Sequence, residues 1–332
     1  MKKITAIILA MLMTVFTFVS CSEEIDITTK DPESTTTTVD QNISNNASGN
    51  TNSGEADYLD LIYEIDGSYY SSEKNFNHKN IISRTAQISI DKTAPATKKV
   101  KINGVEKELH YKDTRYYPIS GTTARSYLIN PEDDEDVTVL INQDGTIKSV
   151  LNRFDKIDIS KYDTPEKVLP KVKEVVEEYV DLSKYKYYEE PYYNPETLES
   201  SSVGFGIYTF GFYNLVDGYT TDYVSVTVDY RGNVGHLKIT NMNQNITSLN
   251  IDKKLEDEIL ELKFRDIYTT DTTEYISHKI DESVRKTVVT HEDGTVYIIY
   301  RGSAKYRLKS TGAERNGWAI ELVVPLELIS SK

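Results

Sequence analysis

From Val168 to Val180 the apolar residues keep a helical period. Val168, Leu169, Val172, Val175, Val176, Tyr179 and Val180 stand at i, i+1, i+4, i+7, i+8, i+11 and i+12, which is one continuous stripe. Asp163 or Thr164 can cap this helix, with Pro165 in the first turn and Glu166 completing a capping box. Pro170 lacks the N–H that a helix interior needs, so the regular turns are expected to begin there. A second helical pattern runs from about Asp252 to Phe264, with Leu255, Ile259 and Leu262 on one face, Leu260 and Phe264 beside them, and Asn250 or Asp252 as its cap. Burying one such side chain stabilises by ~1.5–3 kcal/mol, so the two stripes are the strongest ordering forces in the pattern.

Elsewhere after Tyr58 the period is two. Val224, Val226 and Val228 alternate strictly, and Tyr, Val, Ile and Thr dominate the runs between turns. Asn103-Gly104, Asp144-Gly145 and Asp293-Gly294 supply the positive φ of tight hairpins, and Arg231-Gly232-Asn233 marks a fourth turn. The first helix is followed by candidate strands at 204–216, 222–230 and 233–240. The second is followed by candidates at 284–291, 295–301 and 318–328. A helix and then several strands therefore occurs twice, which predicts an α+β fold with an internal duplication.

This arrangement resembles PepSY-like modules, small units of secreted bacterial proteins in which a helix packs on an antiparallel sheet. The matching turns are Asp229-Tyr230-Arg231-Gly232 and His291-Glu292-Asp293-Gly294. The resemblance implies two helix-plus-sheet units, 158–249 and 250–332, after a β-rich portion at 57–157. It also implies a role in restraining secreted peptidases or mediating contacts in the envelope.

The N-terminus adds an address. Met1-Lys2-Lys3 precedes an uncharged apolar run from Ile4 to Val19, the pattern of a secretory signal at 1–20. The run is shorter than the ~20 residues of a perpendicular membrane-spanning helix, which makes a lasting span the weaker reading. Phe18-Val19-Ser20-Cys21-Ser22 is similar to the lipobox of bacterial lipoproteins, in which the Cys takes a diacylglyceryl group and becomes the mature N-terminus. That implies lipid attachment at Cys21 and a place on the extracytoplasmic face of the cell membrane. Cys21 is the one cysteine of the chain, so no intramolecular disulfide can form. Residues 21–56, rich in Ser, Thr, Asn and Gly, lack the apolar surface to offset their ordering entropy and read as a disordered tether.

Charge narrows the partners. The chain carries net −14, and loss of residues 1–20, with two lysines and no acids, leaves −16. Such a surface repels phosphate backbones, so nucleic acid is an unexpected partner and the lipid alone provides the membrane contact.

The chemistry-bearing residues form no recognisable motif. His78, His110, His236, His278 and His291 show no HxH or HExxH spacing, and neither a G-x-S-x-G elbow nor an S-x-x-K with K-T-G occurs. Gly204-Phe205-Gly206 lacks the third glycine of a phosphate loop, and Glu132 to Asp136 lacks the order of a calcium loop. No metal or cofactor is therefore expected. What stands out is 25 tyrosines, paired at Tyr69-Tyr70, Tyr116-Tyr117, Tyr187-Tyr188 and Tyr192-Tyr193. In a strand each pair sends one ring to each face. Tyrosine suits half-buried strands in any case, and outward rings suit protein partners or sugars. The expectation is a surface lipoprotein that binds a partner protein and catalyses nothing. A carbohydrate-active protein, either a glycan-binding module or a glycoside hydrolase, is the alternative.

Overall fold

A computed structural model describes residues 58–66, 76–133, 136–160, 163–189, 191, 207–229, 231–241 and 246–331. The signal at 1–20, Cys21, the tether, Tyr69-Tyr70, Tyr192-Tyr193 and Gly204 to Gly206 lie outside them. In chain order the strands are β1 (Tyr63–Ile65), β2 (Ile81–Ile82), β3 (Gln87–Ser89), β4 (Thr97–Ile102), β5 (Val105–Tyr117), β6 (Thr122–Leu128), β7 (Thr138–Asn142) and β8 (Ile147–Lys156). After helix α1 (Pro165–Glu177) come β9 (Tyr187–Glu189), β10 (Ile207–Val216), β11 (Tyr219–Asp229) and β12 (Asn233–Asn241). Helix α2 (Lys253–Tyr268) leads to β13 (Thr273–Ile280), β14 (Thr287–Thr290), β15 (Val296–Leu308), β16 (Glu314–Asn316) and β17 (Ile320–Pro325). Among the described residues no helix is long and apolar enough to cross a membrane.

The α+β expectation is overturned, and with it the PepSY-like units. Among the described residues the fold is mostly β, one mixed hydrogen-bonded network of seventeen strands with two helices laid on it. β4 to β8 form an antiparallel meander, and β8 then pairs with β12, Ser149 opposite Lys238. β12, β11, β10 and β9 continue outward from there. Strands β3 to β8 therefore share one wing of the sheet with those that follow α1, while β1 and β2 belong to the other. A second wing is centred on β15, flanked by β13 and β14 on one side and by β16 and β17 on the other. β17 pairs with β1, which runs parallel to β2. Among the described residues one strand pairing joins the wings, the parallel pairing of Thr220 of β11 with Thr287 of β14. Periodicity identifies a strand but not its neighbour. The free backbone groups along β8 and β12 need partners, and each strand supplies the other's.

α1 starts at Pro165, behind Thr164 at the N-cap position, and Pro170 lies inside it. The helix thus begins a turn earlier than the proline predicts, at the cost of one internal hydrogen bond. Val168, Val172 and Val176 are fully buried in a core built from strands on both sides of α1 in the chain, including Leu109, Val139, Val150, Phe210 and Val226. α2 is capped by Asp252, whose carboxylate accepts from the N–H groups of Lys254 and Leu255. It buries Ile259, Leu260, Phe264, Ile267 and Tyr268 against the second wing. Its inward face is turned away from Leu262, and Glu256 and Lys263 are buried within it.

The turns follow local chemistry. Asn103 and Gly104 have φ of 52° and 70° between β4 and β5, and Gly145 and Gly294 are also left-handed. At Gly232, between β11 and β12, φ is +85° and a Cβ would stand 2.0 Å from the carbonyl oxygen of Ile157. The turn therefore requires glycine, and the Gly232 carbonyl accepts from the Ile157 N–H at 2.6 Å.

Candidate functional site

In β11, Val224, Val226 and Val228 face α1, so Tyr223 between strand partners faces away. Tyr213 of β10 lies directly opposite Tyr223, and Tyr187 of β9 lies opposite Tyr213. Directly opposed residues project to the same side, so three tyrosines form a row across three strands on the face that α1 leaves uncovered. The Tyr187 and Tyr213 rings stack at 5.4 Å with planes 19° apart, and Tyr187 is 44% exposed. Of the adjacent pair Tyr187-Tyr188, the second ring turns inward onto Phe210 and Phe212, as alternation requires.

A cation completes the row. The segment between β13 and β14 is closed by Asp281, which accepts from the Ser283 N–H and hydroxyl. It then delivers Arg285 and Lys286 to opposite sides. The Arg285 guanidinium carbon lies 3.8 Å from the Tyr213 ring centre and 5.6 Å from that of Tyr223, and its Nη2 pairs with Glu189 at 2.7 Å. Gly211 makes room for this pair, because a Cβ there would meet the Tyr223 ring at 3.0 Å and the Glu189 carboxylate at 3.2 Å. Burial, with the Glu189 charge, pushes the Tyr223 phenol up, so it stays protonated at neutral pH. The result is a half-exposed surface of stacked rings, hydroxyls and one guanidinium, the side-chain types that dominate binding energy at interfaces.

Lys286 points instead into the junction of the wings. There Glu256 is buried, and its Oε1 accepts from the Tyr219 hydroxyl and, at 2.8 Å, from the Tyr300 hydroxyl. Lys253 donates to Oε2 at 2.9 Å, and the Lys286 ammonium stands 3.8 Å from Oε1. Burial alone would raise the Glu256 carboxyl. The hydrogen bonds from Tyr219, Lys253 and Tyr300 and the charge of Lys286 outweigh it and hold the group below its ordinary range. Tyr300 and Tyr219 are pushed up by burial and by the same carboxylate, so both remain donors. Tyr219 begins β11 in the first wing yet belongs to the core of the second, which makes this cluster a clasp between the wings.

The remaining sequence candidates are dispersed. His78 Nδ1 donates to the buried Glu64 carboxylate at 2.7 Å, and His278 stacks on Phe264 at 5.1 Å. His291 lies beside Asp293 at 3.1 Å. Among the described residues no group of three or more His, Cys, Asp or Glu converges on a point. Of the acidic run, Asp136 accepts from the Asn130 N–H at 2.5 Å and so closes its own turn, while Asp134 and Glu135 lie outside the described residues. Set against known proteins, the chain matches no family model, no curated protein and no solved structure.

Reading only paired tyrosines misses Tyr213, Tyr223 and Arg285. Asp217-Gly218, with φ of 52° and 85°, is a hairpin turn of the kind read elsewhere, but folding the chain there alone places Tyr213 opposite Asp222, and a β-bulge at Asn214/Leu215 shifts the register by one to bring Tyr223 opposite it. Nothing local marks Arg285, which arrives from the other wing.

Proposed function

We propose that the chain is an exported lipoprotein, held by a lipid on Cys21 at the extracytoplasmic face of the cell membrane, that binds a partner protein and catalyses no reaction. The observation that carries the binding reading is the row of Tyr187, Tyr213 and Tyr223 with Arg285 stacked on it. Rigid rings that display apolar area and hydroxyls together lose little entropy on contact, and the guanidinium adds directional donors. The basic start, the apolar run and the Ser20-Cys21 junction support the address. Residues 21–56 serve in this reading as a tether that lifts the folded part from the lipid surface.

Cys21→Ser is expected to move the protein out of the membrane fraction or to leave the signal uncut, because a diacylglyceryl anchor binds stably where one chain does not. A variant that fractionates and migrates as wild type would overturn the anchor. The binding face is tested by crosslinking on intact cells, comparing wild type with Tyr187→Ser and with Tyr187→Ser combined with Arg285→Ala. Losing an aromatic or arginine anchor is expected to cost about 2 kcal/mol, roughly thirtyfold in affinity, so the captured protein should diminish in both variants. Unchanged capture removes the row from the interface. The open ring face of Tyr187 also suits a sugar, and glycan binding lost in Tyr187→Ser would decide for that alternative.

A further inference from the structure

The stack of rings on the first wing stops at its outer edge. Among the described residues β9 pairs with β10 alone, so Tyr187 has the Tyr213 ring on its inner side at 5.4 Å and no ring on the other. Glu189 stands two residues further along β9 and so projects to the same side, while Tyr188 between them turns to the opposite face. The Glu189 side chain is 51% exposed, and its Oε2 alone is engaged, by the Arg285 guanidinium at 2.7 Å. A carboxylate accepts at both oxygens, and among the described residues Oε1 has no partner.

Arg285 shows how this surface holds a guanidinium. Its planar group lies 3.8 Å from the centre of the Tyr213 ring while its Nη2 reaches Glu189, so one cation is shared between an aromatic face and a carboxylate. The outer side of the column offers the same two groups again, the open face of Tyr187 and the second oxygen of Glu189. No side chain among the described residues fills them.

We propose that Tyr187 and Glu189 receive an arginine side chain of the partner protein, which continues the column outward as Arg285 does inward. This rests on the row being the binding face. Arginine fits better than lysine, because its flat, weakly hydrated guanidinium stacks on a ring and still donates from its edge. The net charge of −14 favours the same class of partner, since it steers basic surfaces towards the protein and repels acidic ones. A neutral sugar would use the ring and leave the carboxylate without a counter-charge.

The test is an NMR titration of the full chain with the peptide acetyl-Gly-Arg-Gly-amide and with its lysine and citrulline counterparts, citrulline being the uncharged near-isostere of arginine. The arginine peptide is expected to shift the amides of 187–189 and 211–213 saturably. The lysine peptide should bind more weakly, and the citrulline peptide roughly tenfold more weakly, the scale of one charge-assisted hydrogen bond. Glu189→Gln should lose the same factor, whereas Glu177→Gln, which removes an equal charge from the exposed side of α1, should leave binding unchanged. Tyr187→Leu should weaken binding roughly threefold, and Tyr187→Phe should retain it, because the contact is with the ring face. A citrulline peptide that binds as tightly as the arginine peptide, or no saturable shift from the arginine peptide at millimolar concentration, would overturn the arginine site on wild-type protein alone. Wild-type affinity in Glu189→Gln would overturn it too. Capture on intact cells separates this site from the wider reading. A partner lost in Tyr187→Ser but kept in Glu189→Gln leaves the row as an interface that takes no arginine, whereas a partner kept in both removes the row itself.

Discussion

Glu256→Leu is expected to destabilise the folded protein by about 3 kcal/mol, read as a lower midpoint of urea unfolding. The substitution removes the acceptor of two buried phenols, Tyr219 and Tyr300, and the counter-charge of Lys286. Leaving one buried donor unsatisfied costs about 1–3 kcal/mol, and here two are stranded in the junction between the wings. Glu256→Gln keeps an accepting oxygen and should lose less. Adding Tyr219→Phe and Tyr300→Phe to Glu256→Leu removes the stranded hydroxyls and should recover much of the loss. A triple variant no more stable than Glu256→Leu would show that the clasp is not the source.

The same carboxylate predicts a pH dependence. Its folded value lies below the ordinary 4.5, so the ionised form is favoured by folding. The resulting stability is complete above about pH 4.5 and is lost as the pH falls through the lower folded value. Between pH 6 and pH 3 wild type should therefore lose stability more steeply than Glu256→Gln. Parallel curves would remove Glu256 from the acid response.

The second large effect is expected at Glu64→Ala. Glu64 of β1 is fully buried, with Oε2 on His78 Nδ1 at 2.7 Å, Oε1 on the Lys79 N–H at 3.2 Å, and the buried Lys263 ammonium 3.8 Å away. Breaking such a pair leaves a charge without compensation and costs about 3–5 kcal/mol, whereas replacing both partners with apolar residues is often neutral. Glu64→Leu with Lys263→Met is accordingly expected to be more stable than Glu64→Ala, measured by urea unfolding. Burial already lowers the Lys263 ammonium, with Glu64 and Asp266 partly restoring it. Without Glu64 the folded value falls further below the ordinary 10.5, and the unfolded chain binds the proton more readily. The deficit should therefore shrink as pH rises towards 10.5. A deficit independent of pH would assign the loss to packing and not to charge.

These two clusters explain where reading from periodicity stopped. Leu255, Ile259 and Leu262, with Leu260 and Phe264 beside them, define the apolar face read for α2; Ile259, Leu260 and Phe264 are buried, but the buried face is centred past Leu262 and also holds Glu256, Lys263, Ile267 and Tyr268. Two charged residues on the inward side rotate the apparent stripe, because hydropathy counts them as solvent-facing. Their burial is tolerable through partners that lie far away in the chain: Tyr300 for Glu256, and Glu64 for Lys263. For α1, whose inward side carries no charge, the stripe of Val168, Val172 and Val176 was legible directly.

By itself the sequence determined the local features: the two helical stretches, the alternating strands, and the turns at Asn103-Gly104, Asp144-Gly145, Gly232 and Asp293-Gly294. Each depends on backbone preferences within a few residues. The tertiary structure alone decided which strands are neighbours. The β8 to β12 pairing merges what the order of elements separates, and β1 joins β17 from the far end of the described chain. It also decided that Arg285 would lie on Tyr213. Strand edges offer the same N–H and C=O groups to any partner. The choice among them follows from the burial of whole faces, which no local window of residues contains.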